Sequence, residues 1–166
     1  RATGIDALYD QALELWIAEG WTTADEATAR KDHLVKAVEL MQPRLETTHD
    51  FLTFGYIFTD PVDYDAKAKK KHWKTDSPER LTALISRLET LEAFDEVLIE
   101  GATRTLAGEL GISTGKLIHP TRLAISGVGH GPGLFELMEV LGQDVCIQRM
   151  QTALGNLERE ASVPAG

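Results

Sequence analysis

Apolar residues recur along this chain at intervals of three and four, the spacing that puts side chains on one face of an α-helix. Ile5, Leu8, Tyr9, Ala12 and Trp16 form the first such stripe, and Gly20 follows as its stop. Thr22 or Thr23 is placed to cap the next helix, with Glu26 three residues after Thr23 completing a capping box. Leu34, Ala37, Val38 and Met41 supply the next inward stripe, which Pro43 ends. The segment HDFLTFGYIFTD continues the pattern with Phe51, Phe54 and Phe58 until Asp60, Pro61, Asp63 and Asp65 break it. Beyond AKAKKKHWK, the run Ser77–Pro78–Glu79 reads as N-cap, first helical position and acidic first turn. Leu81, Leu84, Ile85 and Leu88 form a further stripe, and Phe94, Val97, Leu98 and Leu106 another that closes at Gly108 or Gly111. No segment alternates with period two and β-branched enrichment, so no sheet is predicted. The expected fold class is all-α, a helical bundle in two subdomains at residues 1–65 and 77–166, joined by a lysine-rich connector at 66–76.

The stretch HPTRLAISGVGHGPGLFELMEVLG, from His119 to Gly142, combines one arginine, a glycine-rich loop and an apolar run. Pro120 can open a short helix, because it has no amide proton to leave unpaired there, and Arg122 then falls in the first turn. Gly127 ends that helix. Gly131 and Pro132 repeat the arrangement as cap and first position of the next, whose buried stripe is Leu134, Leu137, Met138 and Leu141 before Gly142 stops it. Two helix N-termini within a dozen residues would each offer free backbone N–H groups and partial positive charge. Arg122 adds a planar fork able to pair with phosphate or a base edge, or to stack on a base. These are parts for holding an unstacked base rather than for breaking bonds. The alternative is a helix–turn–helix corner whose arginine pairs with a nearby glutamate.

Charge sharpens this picture. The 166 residues carry a net charge of −9, which argues against general affinity for nucleic acid or anionic membranes but leaves room for a local basic site. Residues 66–76 hold five lysines and one aspartate, while the segments on either side are acidic. Lys67, Lys69, Lys70, Lys71 and Lys74 flank His72 and Trp73, so the run reads either as a phosphate contact or as a solvated connector. Phe51, Phe54, Tyr56 and Phe58 likewise suit either base stacking or core packing. With 43% hydrophobic and 26% charged residues the composition is that of an ordinary globular chain. No apolar run approaches the ~20 residues needed to span a bilayer, and the first residues lack the form of a signal peptide. The single cysteine, Cys146, lies in an apolar helical pattern, reads as a buried structural thiol and fits a reducing cytosol. An arginine at position 1 suggests a piece of a longer protein.

Several tempting motifs fail. GVGHGPG has Pro132 where a dinucleotide fingerprint needs glycine, and it follows no predicted strand. GISTGKL has three residues between its glycines instead of four, and Leu117 in place of the metal-binding hydroxyl of a phosphate loop. The histidines His33, His49, His72, His119 and His130 show no zinc-like spacing, and Asp60, Asp63 and Asp65 lack the length and central glycine of a calcium loop. Ser126 lies outside a nucleophile elbow. No metal site and no catalytic residue are expected.

The ordered segments HPTRLAISG, GPGLFELMEVLG and VCIQRMQTAL resemble the C-terminal part of bacterial-type glutamyl-tRNA synthetases, as do LMQPRLETTHDFLTFGYIFTDPVDYD and GELGISTGKLIHP upstream. The resemblance covers about residues 30–155. Thr121 departs from the usual hydrophobic residue before the arginine, and Ser126 from the usual threonine. That family's catalytic half is missing, with no "HIGH"-type or "KMSKS"-type motif. What the resemblance implies is an α-helical cage that grips the anticodon loop of the glutamate tRNA. Arg122 would hydrogen-bond or stack on a base, and Gly131, Pro132, Gly133 and Leu134 would supply backbone and apolar contacts. Arg104, Lys116, Lys69, Lys70 and Lys71 are candidates for phosphate contact on charge alone. By the same resemblance, ATP, magnesium ion and glutamate belong to an upstream catalytic domain of a cytoplasmic parent enzyme; neither DNA nor a membrane is an implied partner. The alternatives are a stand-alone RNA-binding module and a helical protein-interaction module.

Overall fold

A computed structural model describes residues 2–162, with side chains described for residues 4–157. Residues up to Thr59 form one compact unit and those from Asp60 onward a second. Among the described residues there is no strand, so the all-α expectation holds.

In the first unit, α1 (Ala2–Ala18) turns its Tyr9, Ala12 and Trp16 face inward, the stripe read from the sequence. Thr23 Oγ1 accepts the Glu26 amide at the start of α2 (Ala24–Ala29), but the Glu26 carboxylate accepts the Thr22 hydroxyl, so only one half of the expected reciprocal box is made. Helix α3 (Lys31–Met41) buries Leu34, Ala37, Val38 and Met41 completely. Next come a 3₁₀ turn at Gln42–Arg44 and a ten-residue 3₁₀ segment at Thr48–Ile57, kinked at Phe54. Phe51 and Phe54 are buried there and serve the core. Trp16 meets Phe51 and Phe58 edge to face and donates its indole N–H to the Phe51 carbonyl at 3.2 Å.

The second unit begins with α4 (Ala66–His72), capped by Asp65, whose carboxylate accepts the Ala68 amide at 2.8 Å. The lysine-rich segment expected as a connector is therefore a helix, and it packs on α7 within this unit. Helices α5 (Ser77–Glu89), α6 (Glu96–Leu110), α7 (Gly115–Ser126), α8 (Leu134–Leu141) and α9 (Gln143–Ser162) complete it. Leu81, Leu84, Ile85 and Leu88 of α5 are buried against α6, α7 and α9. Cys146, Met150, Ala153 and Leu157 give α9 its inward face. Burial pushes the Cys146 thiol up to about 12, so it behaves as a small apolar side chain.

Three sequence expectations are corrected here. On α6 the inward stripe is Ile99, Thr103, Leu106 and Ala107, whereas Val97 is 76% exposed. Helix α7 starts at Gly115 rather than at Pro120, because the Ser113 and Thr114 carbonyls accept the amides of the first turn. Pro120 is its buried sixth residue, where the missing N–H removes the bond a helix would make to the Lys116 carbonyl. Finally, Pro132 precedes α8 instead of opening it, with Gly133 at the N-cap. Of the two helix starts expected within this stretch, only that of α8 adjoins the 127–133 loop.

Candidate functional site

Arg122 lies in the second half of α7, half-buried, and its guanidinium donates to the Pro132 carbonyl at 2.6 Å. That bond fastens the loop 127–133 back onto the helix that precedes it. Gly127 makes the turn possible. Its φ is +80°, and a Cβ there would lie 2.8 Å from the Asp63 carbonyl oxygen and 2.9 Å from Pro61 Cβ. Gly129 approaches the α4 helix equally closely, 2.8 Å from Ala68 Cβ for an added Cβ. The Asp65 amide donates to the Gly127 carbonyl at 2.8 Å, joining the loop to the entrance of α4. Ser126 Oγ donates to the Arg122 carbonyl at 2.7 Å and accepts the Val128 amide at 3.2 Å, so its hydroxyl shapes the same corner.

Beneath this loop sits Arg149, 3% exposed, which sequence reasoning did not single out. It donates to Asp60 Oδ1 at 2.9 Å and to the Ile125 carbonyl at 2.8 Å. The bond to Ile125 secures the last turn of α7. An arginine inside the apolar stripe of α9 was the available signal, since a buried guanidinium requires partners. Two members of the acidic cluster therefore hold the fold: Asp60 pairs with Arg149, and Asp65 caps α4.

The structure brings Arg122 and Pro132 together and places Gly131, Gly133 and Leu134 along the same loop end. Gly133 is exposed, whereas Pro132 and Leu134 are buried. The phosphate candidates separate. Arg104 pairs with Glu100 at 2.6 Å and reaches Thr114 Oγ1 at 3.4 Å. Lys116 and Lys71 line one cavity of about 430 Å³, together with Lys74, Arg80, His72 and His119. Lys69 is half-buried, and Lys70 is exposed, its carbonyl accepting Lys74 Nζ at 2.8 Å. In that cavity the His72 and His119 rings stack with centroids 4.2 Å apart and an 18° tilt. Burial holds both imidazoles below the usual histidine range. For His72 the charges of His119, Lys71 and Lys74 act in the same direction, and for His119 those of Arg122 and Lys71.

The family model for an anticodon binding domain matches residues 7–154. The chain belongs to the anticodon-binding domain family. This domain is 41% identical over 138 residues to glutamate–tRNA ligase 1 of Syntrophomonas wolfei subsp. wolfei, a match covering 82% of the domain and 27% of the relative. It is 39% identical over 127 residues to the glutamate–tRNA ligase of Chloroherpeton thalassium, covering 76% of the domain and 25% of that protein. A solved glutamate tRNA ligase from Elizabethkingia meningosepticum, in complex with its amino acid, superposes with a TM-score of 0.83 at 25% identity, over 92% of the domain and 29% of that chain. The anticodon-binding domain thus spans about a quarter of the length of the curated relatives it matches.

Proposed function

We propose that this domain reads the anticodon loop of the glutamate tRNA, as the C-terminal part of a cytoplasmic glutamate–tRNA ligase whose upstream catalytic domain joins glutamate to that tRNA at the expense of ATP. The observation that carries the reading is the bond from Arg122 to the Pro132 carbonyl, which presents a planar cation and an exposed glycine backbone from one rim. A guanidinium held this way can hydrogen-bond a base edge or stack on its face, and one good arginine–base pair supplies about 1–3 kcal/mol of discrimination. Gly131 and Gly133 let a flat base approach the backbone, and the buried Pro132 and Leu134 anchor that backbone from beneath. Arg104, Lys116, Lys69, Lys70 and Lys71 would meet phosphates. ATP and magnesium ion would belong to the catalytic domain of the parent enzyme. The local bases also account for how an acidic chain could accept RNA, because the surplus of negative charge lies outside this cluster. No observation favours a stand-alone protein-interaction module.

Arg122→Ala tests the assignment. It is expected to weaken binding of the cognate anticodon stem-loop about tenfold or more in a fluorescence-anisotropy titration, with helical content unchanged. Equal affinity for variant and wild type would remove Arg122 from the site.

A further inference from the structure

The cavity at the start of α7 gathers cations from three elements: Lys71 at the end of α4, Lys74 and Arg80 before and within α5, and Lys116 on α7. Its carboxylate, Asp76, lies 3.5 Å from the Arg80 guanidinium. In a chain of net charge −9 such a concentration of positive charge is a feature to be explained. So is the stacked His72–His119 pair in its wall, since two imidazoles face to face at 4.2 Å cannot both take a proton beside three lysines unless an anion offsets the charge. A volume of about 430 Å³ accommodates a phosphate with its sugar. We propose that this cavity binds a backbone phosphate of the RNA strand, and that the phosphate enters together with a proton on the His72–His119 pair. The ligand, an RNA strand, rests on the anticodon-binding reading; the site itself is independent of base recognition at Arg122.

The choice of RNA over a free anion comes from continuity. His119 and Arg122 share α7, one turn apart, and the Arg122 charge acts on the His119 imidazole. A strand whose base lies at the Arg122 rim would therefore have its backbone within reach of the lysines. The charged groups facing the pair are Lys71 and Lys74 from the α4 side, Asp76 and Arg80 from α5, and Lys116 and Arg122 from α7. All but Asp76 oppose protonation in the free domain. A bound phosphate reverses that balance and raises the affinity of the pair for protons, so by linkage acidification strengthens RNA binding.

Anisotropy titrations of the 166-residue chain with an anticodon stem-loop, at about pH 8 and about pH 5.5, test this. Wild type is expected to bind about tenfold more tightly at the lower pH, the gain for raising one imidazole by one unit. His72→Gln with His119→Gln should abolish that gain. Lys71→Gln with Lys116→Gln should weaken cognate and anticodon-swapped loops equally and lower the slope of log affinity against log salt by about one to two, as for lost phosphate contacts. An unchanged pH response in the histidine variant, or an unchanged salt slope in the lysine variant, would overturn the proposal. Titrating wild type with inorganic phosphate while following the imidazole proton resonances needs no substitution. Phosphate should move both histidines to a higher titration midpoint, and no movement would overturn it. Discrimination between loops with flat pH and salt responses would reject the cavity alone, whereas the converse would reject base reading alone.

Discussion

At the C-terminal end of α7, Arg122, Ser126 and Arg149 are hydrogen-bonded to backbone carbonyls, whereas at its N-terminal end charged groups crowd a cavity and oppose one another. Arg149, Ser126, Gly127 and the Arg122–Pro132 bond leave the loop end with one geometry. Lys71, Lys116 and the histidine pair at the other end lie on surface side chains that gain from an incoming anion. On the proposed reading, one helix would separate two requirements of RNA recognition. Sequence discrimination needs pre-organised donors, and affinity needs mobile positive charge that tolerates any sequence.

Substitutions at either end of α7 separate the two environments. The largest effect is expected from Gly127→Val, which imposes a β-branched residue at φ +80° and drives its Cβ into the Asp63 carbonyl. A loss of about 3 kcal/mol or more in urea unfolding should follow, and a variant as stable as wild type would show that the corner is not rigid. Arg149→Met should cost about 2–4 kcal/mol by leaving the Ile125 carbonyl unpaired and Asp60 without its cation. If the midpoint of unfolding is unaltered, the buried arginine does not hold the loop end. Thr121→Val should act in the opposite direction. The Thr121 hydroxyl is buried without a hydrogen-bond partner, so the isosteric apolar residue is expected to raise stability by about 1 kcal/mol, read as a higher urea midpoint.

The smallest effect concerns the cavity end. Both histidines titrate below the usual range in the folded chain, so the unfolded chain binds more protons as the pH falls. Their contribution is complete above the unfolded value near 6.5 and is lost on acidification below it. The thermal midpoint of the free chain should therefore fall between about pH 7 and pH 5, and His72→Gln with His119→Gln should flatten that part of the profile.

Periodicity alone located the inward faces of α1, α3 and α5, because their apolar residues fall strictly at helical spacing. It misplaced α6, where Thr103 belongs to the core and returns its hydroxyl to the Ile99 carbonyl, a pairing that a polar letter conceals. Pro120 misled in a different way. Proline marks a helix start only when nothing upstream supplies the first turn, and here Ser113 and Thr114 do so. The 3₁₀ segment Thr48–Ile57 shares near-helical apolar spacing with an α-helix, so the pattern could not separate the two. Arg122 and the glycine–proline loop were legible as parts, and the ordered motifs around them named the family. Their mutual bond was not legible, since it depends on how the 127–133 loop folds back on α7, nor was the meeting of His72 with His119, which depends on how α4 packs against α7.

On the proposed reading, the Arg122 rim distinguishes one anticodon from another. The most direct test is a low-salt anisotropy titration of the wild-type chain with two stem-loops that differ only in the anticodon, one of them that of the glutamate tRNA. The account predicts at least about tenfold tighter binding of the glutamate loop, the yield of one arginine–base contact. Equal affinity for the two would contradict it.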